Sequence, residues 1–325
     1  MKKSSTFKPA WWLNNPHLQT MAPKLIRNKQ RIKVDTETIE LPDGDFLDLA
    51  WTADPKEHPN KPIVMVLHGL EGSINSPYAK GMMNAISQRN WIGVLMHFRG
   101  CSGRPNRQSH SYHSGDTWDL HYCSHLLHQR HPNHPKGILG FSLGGNVLTR
   151  YLAEEANNPF NCAAVICAPL HLQSCSQRIS RGFSKVYQRY LINMLKSSAL
   201  QKIDLQLLPN YSKQEIKGIS TLYEFDSKIT APINGFDSAE DYYHKASGMY
   251  VIDQIVKPTL FIHAKDDPFL SHQEIEDLQI NNPNISFEIS HGGGHVGFIS
   301  GRNPFKPEFW LEHRVLEFFA DYLNK

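Results

Sequence analysis

No stretch of this 325-residue chain approaches the roughly 20 consecutive apolar residues that a membrane-spanning helix needs. Cysteine is scarce. The five at positions 101, 123, 162, 167 and 175 are odd in number and include no C-x-x-C pair, which speaks against a disulfide framework and a zinc ribbon, so the thiols are expected to be free and reduced. An excess of one charge is also missing: Lys and Arg number 34 against 31 Asp and Glu, the net is +3, and the basic residues are scattered without long runs. Nucleic acid is therefore not expected as a partner. The start, Met1-Lys2-Lys3-Ser4-Ser5-Thr6-Phe7, continues into Lys8-Pro9 where a secretory signal would turn apolar, so the expected location is cytoplasmic. H-E-x-x-H spacing is absent as well. Of the 18 histidines, His121, His125 and His128 share one face of a helix-like stretch from Asp116 to Arg130, but nothing in that spacing completes a ligand set. No metal and no cofactor are expected.

What is present is a rhythm of short apolar runs. Alternation from Ile32 to Ile39, the turn Pro42-Asp43-Gly44-Asp45 and the run Phe46 to Trp51 predict a hairpin. Pro62 to Leu67 is a continuous apolar run of the kind buried on both faces of a sheet. Further runs follow at Ile92 to Phe98, Lys136 to Leu139, Ala163 to Ala168, Thr259 to Ile262 and Ile285 to Ile289. Helix-like segments lie near Tyr78 to Arg89, Thr117 to Gln129, Val147 to Ala156, His272 to Gln279 and Phe309 to Leu323. Repeated βα units imply an α/β fold, a mostly parallel sheet with helices on both faces. Residues 170–253 break the rhythm and are read as a helical cap or lid insertion into a core of residues 1–169 and 254–325. Within the insertion, Val186, Tyr190, Leu191, Met194 and Leu195 recur at helical spacing; such a stripe usually packs into a core, and a lid over a site is the functional alternative.

The chemistry centres on Gly140-Phe141-Ser142-Leu143-Gly144, a G-x-S-x-G pentapeptide between a strand-like and a helix-like run, where a nucleophile elbow belongs. A serine hydroxyl needs a base within reach and a group to orient that base. After the run Thr259 to Ile262 come His263-Ala264-Lys265-Asp266-Asp267, and after Ile285 to Ile289 comes Ser290-His291-Gly292-Gly293-Gly294-His295. Both sets follow a strand's carboxyl end, where reactive groups gather in such sheets. Asp267 is favoured over Asp266 because Ala264 sets a register of a small residue with the acid three positions later. His295 is favoured over His291 because the preceding glycines let a histidine turn inward. His68-Gly69-Leu70-Glu71-Gly72-Ser73 forms a glycine-rich turn after another strand, and the backbone N–H groups of Leu70 and Leu143 are the expected oxyanion donors. The side chain of His68 is read as structural. Cys101 has no activating histidine placed by any motif and is not expected to act as a nucleophile.

Taken together the chain resembles the α/β-hydrolase fold superfamily and, within it, the YheT-like branch of esterases. The resemblance runs nearly end to end: Trp11-Trp12-Leu13 with Pro16-His17-Leu18-Gln19-Thr20, then His68 to Ser73, Gly140 to Asn146, Ala264-Lys265-Asp266-Asp267-Pro268-Phe269 and Gly294-His295-Val296-Gly297. It implies a mostly parallel eight-stranded sheet, hydrolysis of acyl esters, short to medium in chain or lipid-like, by a Ser-His-Asp acyl-enzyme mechanism, and a small-molecule or lipid-like ester as the partner. An acyltransferase working through the same acyl-enzyme and a non-catalytic binding protein on the same fold are the alternatives. The oligomeric state is not set by the sequence.

Overall fold

The computed structural model describes residues 2–27, 30–271, 275 and 279–324. Nine strands form one sheet: β1 (Lys2–Ser4), β2 (Asp35–Glu40), β3 (Phe46–Trp51), β4 (Ile63–Leu67), β5 (Ile92–Met96), β6 (Lys136–Phe141), β7 (Cys162–Ile166), β8 (Thr259–Ala264) and β9 (Ile285–Ser290). Their spatial order is β1-β9-β8-β7-β6-β4-β5-β3-β2. The predicted hairpin is β2–β3, with Glu40 opposite Phe46, and β3 runs antiparallel to β5; every other neighbouring pair is parallel.

Why the central strands read as unbroken apolar runs is visible in β4. Ile63, Met65 and Leu67 join the apolar cluster on one face of the sheet, Val64 and Val66 the cluster on the other, and all five are fully buried. At roughly 1.5–3 kcal/mol for each such side chain, both faces contribute to holding the strand. The first face is covered by α3 (Trp118–Arg130) and α4 (Leu143–Glu154) through Leu120, Leu127, Val147 and Leu148. The second is covered by α2 (Pro77–Gln88) and the C-terminal helix Trp310–Leu323 through Met82, Ile86, Val315 and Phe319.

The sheet has nine strands where eight were expected. The extra one, β1, lies parallel to β9 with Lys3 opposite Glu288, and the N–H of Ser5 donates to Ile289 O at 3.1 Å. Lys-Lys-Ser carries no apolar pattern because its pairing uses backbone groups at the sheet edge. The helix expected over residues 272–279 lies outside the described residues apart from Ile275 and Gln279. The Trp11 to Thr20 stretch leads into α1 (Pro16–Ile26), capped by the Asn15 side chain, which accepts from the N–H groups of His17 and Leu18.

After β7 the chain leaves the sheet and returns at Thr259. Between lie α5 (Leu172–Ile179), α6 (Lys185–Asp204) and further short helical segments, with a small apolar cluster of their own around Ile192, Ile216, Phe225 and Ile229. Among the described residues no helix is long and apolar enough to cross a membrane.

Candidate active site

The carboxyl ends of β4, β6, β8 and β9 deliver Leu70, Ser142, Asp267 and His295 to one edge of the sheet. Ser142 occupies the turn between β6 and α4 at φ 50°, ψ −121°. Its N–H donates to Ile166 O of β7 at 2.8 Å. The turn is that tight because its neighbours lack side chains: a Cβ on Gly140 would stand 2.4 Å from Gly144 O, and one on Gly144 would stand 2.4 Å from His68 O.

The Ser142 Oγ lies 2.9 Å from His295 Nε2, and His295 Nδ1 lies 2.8 Å from Asp267 Oδ2. An ionised carboxylate only accepts, so Nδ1 carries the proton and Nε2 presents its lone pair to the serine hydroxyl. The Asp267 side chain is fully buried, and its other oxygen accepts the N–H of Phe269 at 2.8 Å. The thiol of Cys167 also touches this carboxylate, and burial followed by the Asp267 charge pushes its pKa far up, so it stays protonated. Cys167, Asp267 and His295 are the one group of metal-type side chains within ligand reach among the described residues, and two of the three are bonded to each other.

The neighbouring candidates fall elsewhere. Asp266 accepts the N–H of Gly294 at 2.9 Å, which braces the histidine loop, and burial raises its carboxyl. His291 is exposed. His121, His125 and His128 project into solvent from α3, with His121 beside Glu155. Cys101 hydrogen-bonds to Tyr112, and burial drives its thiol pKa upward, the opposite of activation. His68 accepts the N–H of Phe98 on Nε2 at 3.1 Å, so its Nδ1–H donates to Gly69 O at 2.7 Å; burial lowers its pKa to about 3 and keeps it neutral.

Leu70 and Leu143 both line the cavity that Ser142 and His295 open into. Neither N–H has an acceptor among the described residues: Leu143 begins α4, where a helix leaves its amides free. The loop that carries Leu70 is pinned on both sides, by Tyr78 OH accepting from Gly69 N (2.9 Å) and Tyr112 OH accepting from Glu71 N (2.7 Å). Those two tyrosines carry no motif signal. Thr20, in the amino-terminal signature, carries no sequence signal of a role either, and its Oγ1 accepts the N–H of His295 at 2.9 Å. Asn146 likewise: its amide donates to Ser114 O and Ala246 O and accepts from Gly248 N, tying α4 to the end of the helical segment.

The cavity has a volume of about 710 Å³ and mainly apolar walls, within the range of small-molecule sites. The stripe Val186, Tyr190, Leu191, Met194 and Leu195 of α6 faces this space, as do the buried Tyr187, Ala199 and Lys202, while the buried Gln188 and Ile192 are not among its walls. Lys202 reaches across to the core, its ammonium donating to Ser109 O, His110 O and Ser111 Oγ.

Comparison with known proteins agrees with this architecture. Residues 62–302 match the α/β hydrolase fold family. YheT of Escherichia coli, provisionally named an esterase, is 45% identical over 324 residues, which covers 99% of this chain and 95% of that protein. The monoacylglycerol lipase of Saccharomyces cerevisiae is 29% identical over 77% of this chain and 58% of its own length, and mouse phospholipase ABHD3 is 25% identical over 92% and 74%. A solved esterase from Pyrococcus furiosus superposes with a TM-score of 0.57 over 91% of this chain and 96% of that one at 16% identity, a likeness of fold alone. The chain belongs to the α/β-hydrolase fold family, in the YheT-like branch.

Proposed function

We propose that this hydrolase cleaves carboxylic esters with an apolar acyl chain, and that Ser142 is the nucleophile, His295 the base, Asp267 the orienting acid and the N–H groups of Leu70 and Leu143 the oxyanion donors. One observation carries the reading: the unbroken row Asp267–His295–Ser142, at 2.8 and 2.9 Å, ends at an apolar cavity. In the first half-reaction Ser142 Oγ attacks the ester carbonyl while Nε2 takes its proton, and the carbonyl oxygen becomes an oxyanion facing the two amides. As the tetrahedral intermediate collapses, Nε2 returns the proton to the departing alkoxide. Water then attacks the acyl-enzyme, Nε2 takes its proton, and the acid leaves as Ser142 regains its hydrogen. Each oxyanion donor is worth about a hundred- to a thousandfold in rate. Residues 170–253 act as the cap, with α6 as the wall against which the acyl chain lies.

The test is Ser142→Ala. It should abolish turnover of short p-nitrophenyl esters and labelling by a fluorophosphonate while the thermal unfolding curve stays intact. Undiminished turnover by that variant would sink the assignment.

A further inference from the structure

The charge of this chain is evenly balanced in total and unevenly placed. Residues 1–34 hold eight Lys and Arg and no Asp or Glu, and residues 156–203 hold six and none. All remaining residues together are therefore net negative. In the fold these two acid-free segments come together, because α1 belongs to the first and α5 and α6 to the second. Their contacts are direct: His17 Nδ1 lies 3.1 Å from Tyr187 OH, the His17 and Phe183 rings are 4.4 Å apart, and Lys24 Nζ stands 4.9 Å over the Tyr190 ring.

Exposed residues line the cavity at this junction too. Met21 and Leu25 of α1 and Val186 and Tyr190 of α6 line the cavity and are exposed, Leu25 to 74%. Leu18 and Phe183 extend the same apolar rim outward. Exposed Lys24, Arg181, Lys185 and Arg189 stand around it, with no carboxylate partner among the described residues. Arg27 is spoken for, since it pairs with Glu312. Asp266, whose charge reaches His17, is turned onto the Gly294 N–H. A lone apolar side chain on a surface needs no explanation, but a contiguous apolar rim with unpaired cations around a cavity mouth does.

We propose that the face made by α1, the turn at residues 182–184 and the first half of α6 docks onto an anionic lipid surface. The apolar rim enters the acyl region while the cations meet lipid phosphates, the arrangement by which amphipathic segments bind interfaces. Interspersed apolar side chains favour a lipid surface over nucleic acid, whose phosphates would leave that rim exposed. Docking in this orientation sets the cavity mouth against the bilayer, so an ester could pass from lipid to the cavity without crossing water. The inference goes beyond the ester-hydrolase reading and does not depend on it.

The experiment is co-sedimentation of the Ser142→Ala protein, which consumes no lipid, with vesicles of phosphatidylcholine and with vesicles that also contain phosphatidylglycerol. Binding is expected to the anionic vesicles, weakening as salt screens the charges. Lys185→Glu with Arg189→Glu should lower partitioning by roughly twentyfold or more, and Leu18→Asp should lower it by about fivefold or more through the apolar arm. In the Ser142 background both sets should keep wild-type hydrolysis of a short soluble ester, which reports that they fold. No binding to anionic vesicles, binding untouched by either set, or retention of duplex DNA in place of vesicles would overturn the proposal; loss of hydrolysis in Ser142→Ala has no bearing on it.

Discussion

At Ser142 the backbone holds φ 50°, a region that a side chain enters only under strain of about 1–3 kcal/mol. The surroundings over-determine it, through the bond to Ile166 O and the clearances at Gly140 and Gly144. A different kind of tension sits at Asp226, which fronts the cavity and accepts from Tyr243 OH and Thr230 Oγ1, each at 2.8 Å. Burial nevertheless raises its carboxyl to about 6. An acid with a higher pKa folded than unfolded holds its proton more tightly in the native state. Stability is then lost as pH rises from about 4 through about 6, and the loss levels off above that. Asp226→Asn should remove this slope. Relative to wild type, the variant should gain up to about 3 kcal/mol between pH 4 and pH 8, read from thermal melts at the two pH values; parallel curves would refute it.

At the scale of elements, α6 walls the cavity and, on the proposed ester reading, sets how much acyl chain it accepts. Met194 faces the cavity from its middle. Met194→Trp should move the preferred ester to a shorter chain, lowering kcat/KM for the longest substrates by about tenfold or more while acetate esters change by less than about threefold. A profile that keeps its optimum would place the acyl chain elsewhere. The stripe itself was legible in the sequence; what it faces was not, because a helix that lines a cavity and a helix that packs into a core carry the same spacing. β4 was legible for the converse reason, since burial on both faces leaves an unbroken apolar run. β1 was not, because Lys2–Ser4 is held through backbone groups that no side-chain pattern reports. Ser142, Asp267 and His295 lay in recognisable strand-end contexts and come together in one hydrogen-bonded row. Tyr78 and Tyr112 were invisible, as each acts through a phenol brought in by tertiary packing.

Over the whole molecule, the histidine loop is held from the far end of the chain. The N–H of His295 bonds to Thr20, 275 positions away; Gln19 bonds to the carbonyl of Ile299 and accepts its N–H; and a Cβ on Gly294 would stand 2.5 Å from Pro16 O. Closing a contact over that separation costs entropy before it returns any energy, so such contacts form late. The βα units between can assemble from nearer neighbours without waiting for α1. During refolding from denaturant, helical signal should therefore return ahead of ester turnover, and Thr20→Ala should widen the gap by delaying only the second. Recovery of both on one time course would contradict this. If it holds, a newly made chain passes through a stage in which the sheet is folded and Ser142 is in place while His295 has yet to be seated, and turnover waits until that last stitch is drawn.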